Sequence, residues 1–489
     1  MNRPIRTMSV FCALLFAALL VNATYLQYFK SESLNERADN RRVTDAEFSR
    51  ERGAILVAGN PIAESRPTDD RFKFQRVYNK RFRYAHLTGF FSYTFGRNGV
   101  EQTENTILSG SDSRLFVNRV IDMIKDSQPK GGSVTLTIDP AAQDAAYDGV
   151  QALGPSAKAA VVAIEPRTGK ILAMVSNPTY DPNLLASHDL DEVAKSWERL
   201  INSPDNPIQN RSIQERLPPG STFKLVTAAA ALANGFRPDS MVPGGATLDL
   251  PQTDKTLPNS GGGTCGGDRI TLTRALDVSC NVAFGWLGLE LGADKLRDQA
   301  EKFGFDQHYL DDLNGQVDSV FPDPDEPQTA LSAIGQFEVA ATPLQMAMVV
   351  AGIANDGQVM RPYLVDEERA PDLSVLHKAD PQPLSGGPAM SPADAAELQR
   401  MMVSVVEQGT GVTAQIPGVE VGGKTGTAQS TPERPPYAWF VSFARVGGQV
   451  PVAVAVLVQD AGVQRDQISG SGLAAPIAKA VMEAVLNRQ

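Results

Sequence analysis

The chain has 489 residues, with 45 Lys and Arg against 56 Asp and Glu, a formal net charge of −11, and 42% hydrophobic residues. At ~100–200 residues per domain this allows two or three domains, and the composition excludes a largely disordered chain. The acidic balance argues against a nucleic-acid protein, which needs a basic face to compete for phosphates. Three cysteines lack the paired spacings of a zinc site, and four scattered histidines (His86, His188, His308, His377) leave Ser–His or metal chemistry short of groups. Catalysis is therefore expected to run without histidine, metal or cofactor.

Arg3 and Arg6 precede an apolar run from Met8 to Val21, and Tyr25 and Tyr28 follow it. Basic residues ahead of an apolar run hold a short tail, here 1–7, in the cytoplasm. Read through the two tyrosines, residues 8–28 are long enough for one membrane anchor with an aromatic rim. The strictly apolar part alone matches a cleaved signal, with Val21-Asn22-Ala23 at the cleavage position. Either way the chain beyond about residue 29 lies outside the cytoplasm. Cys12 falls in the membrane segment, which leaves Cys265 and Cys280 as the outside pair. They form either a disulfide, which export permits, or two buried thiols.

Residues 29–132 are polar, arginine-rich and interrupted by glycine, with Arg52-Gly53-Ala54-Ile55-Leu56 opening a strand and an aromatic stretch from Tyr84 to Phe95. They read as a small mixed module. A break over 126–132 leads to the alternating strand Val134–Ile138 and a helix opened by Pro140. Ala159–Ile164 and Ile171–Val175 form a hairpin around Pro166-Arg167-Thr168-Gly169. A matching hairpin, Trp439–Ala444 with Val452–Val458, turns at Gly447-Gly448. The stretch between them is mostly helical. One helix there has Thr342 as N-cap, Pro343 in the first position and an apolar run from Leu344 to Ile353. The strip 370–390 reads as a surface loop, and Leu473–Leu486 as an amphipathic helix. The fold class is α+β, with one antiparallel sheet carrying a helical insertion.

Three short elements carry chemistry. Leu217-Pro218-Pro219-Gly220-Ser221-Thr222-Phe223-Lys224 runs into an alanine-rich stretch ending at Gly235, so Ser221 sits at a helix N-terminus with Lys224 one turn on. Residues at i and i+3 share a face, which lets the lysine nitrogen approach the hydroxyl. A partly buried lysine near another cation gives up its proton more readily and serves as a base. A second Ser-x-x-Lys, Ser127 to Lys130, contains Pro129 and is a poor helical turn. The next element is Ser279-Cys280-Asn281, after the apolar positions Leu272, Leu276 and Val278. The third is Lys424-Thr425-Gly426-Thr427, a strand whose two threonines share a face. Alone, these are an ordinary N-cap, a turn and a hairpin with a surface lysine.

In this order they form a serine–lysine constellation, and the chain resembles a class B penicillin-binding protein, most nearly the actinobacterial A type. The resemblance also rests on Arg52-Gly53-Ala54-Ile55, Asn210-Arg211, Gly335-Gln336, Thr342-Pro343-Leu344-Gln345 and Gly409-Thr410-Gly411. It implies a serine β-lactamase/transpeptidase-like domain over 133–489 and a pedestal or dimerisation-type module over 29–132. The implied activity is peptidoglycan D,D-transpeptidation. Ser221 would attack the penultimate D-Ala of a stem peptide, and Lys224 would take its proton. Ser279 would relay a proton to the leaving amine, tuned by Lys424. Asn281 would hold the acyl-side amide, Thr425, Gly426 and Thr427 the substrate end, and the amides of Ser221 and Thr427 the oxyanion. β-Lactams would leave Ser221 blocked. The implied partners are stem peptides, β-lactams, a membrane glycan polymerase and division or elongation proteins, with no nucleic acid. Two positions depart from the family pattern: Cys280 in the middle of the Ser-x-Asn triplet, and Phe337 where relatives commonly keep glycine after Gly335-Gln336.

A tethered β-lactamase shares this serine and lysine but needs a further base for hydrolytic water, and no carboxylate motif is assigned to that task. A carboxypeptidase differs in using water instead of an amine. A non-catalytic scaffold should have lost Ser221, Lys224 or Lys424, and a β-lactam sensor needs a signalling segment larger than the short tail.

Overall fold

The computed structural model describes residues 3–30, 33–34, 41–116, 130–428 and 435–487. The beginning of the expected break at 126–132, and with it Ser127, lies outside the described residues. The first element is the helix Arg3–Thr24, continued by a wider turn over Tyr25–Phe29. Its side chains are exposed, and it is long and apolar enough to cross a membrane.

A five-stranded antiparallel sheet organises the larger part of the molecule. Its order is Glu420–Ala428, Tyr437–Val446, Gln449–Asp460, Lys158–Ile164, Ile171–Asn177. Strands from two distant stretches therefore lie side by side, as the two hairpins require. Both faces are covered, which is why Val452–Val458 reads as an unbroken apolar run. Val452, Val454 and Val456 pack on the helix Ala475–Leu486, in a core shared with the helix Pro140–Gln151. Ala453, Ala455 and Leu457 face the other way, against the helix Pro343–Ala354, whose residues are all buried. That helix starts as its sequence indicates, with Thr342 Oγ1 accepting from Gln345 N at 3.1 Å. The strand at 420–428 forms one edge of the sheet.

A second, six-stranded sheet has the order Val375–Lys378, Val365–Arg369, Ser133–Leu136, Ile55–Val57, Asn60–Pro67, Phe74–Tyr78. It takes strands from both sides of residue 132, and Ile55 pairs with Val134 in parallel. Within 370–390, expected as a loop, Val375–Lys378 is instead an edge strand on Val365–Arg369. Three of its four residues are exposed, so it carries no alternating pattern to read.

The N-terminal module is built on a buried ionic cluster. Glu101 is fully buried and takes Arg52 Nε on Oε2 and Arg76 Nε on Oε1, each at 2.6 Å. Tyr78 donates to Oε1 at 3.0 Å, and Arg52 also reaches the Glu101 carbonyl and Asn105 Oδ1. The Arg52 guanidinium lies 4.3 Å from the centre of the Phe91 ring. Burial works against the Glu101 charge, but Arg76 and Arg52 outweigh it and hold the carboxyl below its ordinary range. Arg52-Gly53 thus anchors the module through its arginine. Removing one partner of such a cluster leaves uncompensated buried charge and costs about 3–5 kcal/mol. Glu101→Gln is expected to lower the melting temperature of the detergent-solubilised chain by several degrees, followed by circular dichroism. An unchanged melt would show that the cluster does not hold the module together.

Candidate active site

Ser221 lies on a tight turn, Gly220–Thr222, that runs straight into the helix Lys224–Ala233. The turn is fastened from two directions. Trp439 Nε1 donates to Pro218 O at 3.0 Å from the central sheet. Gly220 N donates to Gly335 O at 3.0 Å, while Leu217 and Ala341 exchange backbone bonds. Gly335 has φ +71°, and a Cβ there would fall 2.2 Å from Gly220 O. Only glycine allows that approach. Two residues on, Phe337 holds φ +60° as a half-buried phenylalanine. Phenylalanine adopts that left-handed backbone at a cost that a glycine would not bear.

The same turn rests on the edge strand. A Cβ at Gly220 would meet Ala428, and one at Gly426 would meet Pro219 O and Thr222. The Ser221 turn and the 424–427 segment are therefore neighbours. Lys424 is fully buried and donates to Thr425 O at 3.1 Å. Thr425 is buried, its Oγ1 2.7 Å from Thr410 Oγ1, while Thr427 is exposed. The Gly409-Thr410-Gly411 motif thus acts on the site through its hydroxyl, a contact that spacing along the chain does not show.

The third element closes the cluster from the helical side. Ser279 stands with φ +57° between the helices Leu272–Asp277 and Asn281–Leu291. Lys224 is fully buried, its Nζ donates to Ser279 O and Asn281 Oδ1, each at 2.8 Å, and it lies within hydrogen-bond reach of Ser279 Oγ at 3.3 Å. It also lies 5.6 Å from the centre of the Phe284 ring. Helical spacing alone pointed the amine at Ser221; in the structure its hydrogen bonds go to the Ser-x-Asn turn. Asn281 Nδ2 donates to Pro258 O at 3.1 Å.

Cys265 and Cys280 are joined by a disulfide, so the residue between Ser279 and Asn281 is tied to the glycine-rich loop at 260–267. Asn259, absent from the sequence argument, holds the same loop. Its amide nitrogen donates to Gly245 O and Gly263 O, and its Oδ1 accepts Val282 N at 3.1 Å. Among the described residues no group of three or more His, Cys, Asp or Glu is placed to hold a metal ion.

Electrostatics separate the two lysines. Burial pushes the Lys224 amine well below the usual lysine range, and the charge on Lys424 adds to the effect. Burial brings Lys424 down to about 7, against the opposing pull of Asp277. The site therefore holds an amine whose burial favours its proton-accepting form, the Ser279 hydroxyl within its reach, and a second lysine near its titration point. Such a set suits acyl transfer through a serine. In a chain labelled with 13C-lysine, one lysine Cε resonance is expected to titrate near pH 7 and to vanish in Lys424→Met. If every lysine resonance titrates above pH 9, the burial argument is wrong.

The description "Penicillin binding protein transpeptidase domain" matches residues 159–483, and "Penicillin binding protein A dimerisation domain" matches 52–134. The peptidoglycan D,D-transpeptidase PbpA of Mycolicibacterium smegmatis is 45% identical, with 99% of each chain covered. Its namesake from Mycobacterium tuberculosis is 44% identical, again over 99% of each. The structure of M. tuberculosis penicillin-binding protein A as a ceftriaxone acyl-enzyme complex superposes with a TM-score of 0.85 at 43% identity, covering 90% of this chain and 100% of that one.

Proposed function

The chain belongs to the penicillin-binding protein transpeptidase family, and from that membership we infer that it is a serine-type peptidoglycan D,D-transpeptidase working through Ser221. The observation that carries this reading is the convergence of five residues from three separate stretches of the chain. Lys224 bonds Ser279 and Asn281, and the Ser221 turn packs on the strand that carries Lys424.

In the proposed cycle, Ser221 Oγ attacks the carbonyl of the penultimate D-Ala and its proton passes to Lys224 Nζ. The amides of Ser221 and Thr427 hold the oxyanion. Ser279 Oγ gives a proton to the departing amine and is restored from Lys224, to which it is hydrogen-bonded. The C–N bond breaks, D-Ala leaves and the acyl group stays on Ser221. An amine from a second stem peptide attacks the ester and loses its proton to Lys224, which passes it to Ser221 Oγ as the ester bond breaks and the acyl group leaves as a cross-link. Asn281 aligns the acyl-side amide. Thr425 and Thr427 hold the terminal carboxylate, with Gly426 letting the substrate backbone lie close. β-Lactams enter as mimics of the D-Ala-D-Ala end and leave Ser221 acylated.

The helix at 3–29 serves as a membrane anchor, with Arg3 and Arg6 inside and the transpeptidase domain outside. The Cys265–Cys280 disulfide supports an oxidising, extracytoplasmic side. The module over 29–132 offers a docking surface for a membrane glycan polymerase and for division or elongation proteins.

The test uses the full chain in detergent, a donor peptide ending in D-Ala-D-Ala and an amine acceptor, followed by mass spectrometry. Released D-Ala should appear together with cross-linked product. Ser221→Ala should abolish both, and Lys224→Ala should cut the rate by about 10²–10⁴-fold. Release of D-Ala without cross-linked product at high acceptor concentration would point to a carboxypeptidase.

A further inference from the structure

Asp277 lies beside this machinery without a role in it. It is the last residue of the helix Leu272–Asp277, two positions before Ser279, and is 3% exposed. Its buried carboxylate oxygen Oδ1 has no hydrogen-bond partner among the described residues. A helix C-terminus is a poor place for a carboxylate, because the carbonyl ends of the backbone dipoles already carry partial negative charge. Burial there without a close ion pair is costlier still.

What surrounds it points to the active site. The Asp277 carbonyl accepts from Thr410 N at 3.1 Å, and Thr410 Oγ1 meets Thr425 Oγ1, next to Lys424. The charged and polar groups acting on its carboxylate are Arg274 on its own helix, Ser404 on the helix Pro392–Gln408, and Lys424. Burial raises the carboxyl, while these three groups favour its ionised form. Two buried amines share the site, and Asp277 is the anion that acts on Lys424.

We propose that Asp277 is a positioning residue that keeps the ammonium charge on Lys424, leaving Lys224 neutral and free to take the Ser221 proton. The assignment rests on the transpeptidase reading above. Without this anion, the protonated Lys424 that supports Ser279 becomes scarce as pH rises.

The sign follows from the charge. Removing an anion disfavours the protonated amine, so the Lys424 titration moves to lower pH. Acylation of the full chain by a fluorescent penicillin, followed as a second-order rate from pH 5 to 9, reads this directly. In Asp277→Asn the alkaline limb should move down by about one pH unit, with roughly a tenfold loss at pH 8 and little change near pH 5.5. Asp277→Glu, which keeps the carboxylate, should restore the wild-type limb. If Asp277→Asn does not fold, Asp277→Ser removes the same charge in a smaller side chain and should show the same shift. A uniform loss across the pH range, or an unshifted limb, would overturn the proposal and reduce Asp277 to packing. Failure of the wild-type chain to acylate at all would instead count against the transpeptidase reading, which separates the two.

Discussion

The removal of two lysine amines from water is the constraint on which the site depends. An ammonium pays heavily for leaving solvent, so a fully buried lysine turns toward its neutral form. Lys224 and Lys424 are both fully buried, within electrostatic reach of each other, and next to a serine turn. Lys224 carries the greater penalty because the charge of Lys424 adds to its burial. The pair thereby splits into an amine driven well below the usual lysine range and one that titrates near neutrality. A histidine-free site obtains its base from burial and from the neighbouring ammonium.

The architecture exists to hold that burial. Sheet strands from opposite ends of the larger domain meet side by side, and the edge strand carries Lys424. The helix at 224–233 delivers Lys224 from the insertion, packed on a segment that Gly335 lets approach to hydrogen-bond distance. The Ser279 turn needs a left-handed backbone, and its neighbour Cys280 is covalently tied to the loop opposite. The module ahead of it is held by a different device, Glu101 clamped between two arginines, and shares a sheet with the domain behind.

Much of this was legible in the sequence where the signal is local. The helix at 343–354 announces itself through Thr342 and Pro343, because cap, first turn and apolar run are contiguous. The hairpins were legible because both faces of the sheet are buried and the runs stay apolar. Elsewhere the information is spread over long separations. Glu101 meets Arg52 from 49 positions away and Arg76 from 25, and nothing near any of them marks the pairing. The strand at 375–378 is solvated at the sheet edge and so lacks a periodic face. Helical spacing placed Lys224 near Ser221 but could not say that its nitrogen turns to Ser279, which depends on a fold-wide juxtaposition. Asp277 was invisible for the same reason: an acidic residue at a helix end looks like surface until the structure buries it.

The central claim is that Ser221 is the nucleophile of an acyl-enzyme. Intact-mass measurement of the full chain after incubation with a labelled penicillin, followed by peptide mapping, tests it most directly. A single stable adduct on the Ser221 peptide, absent from Ser221→Ala, is the predicted result. An adduct on another residue, or unmodified protein beside intact drug, would contradict it.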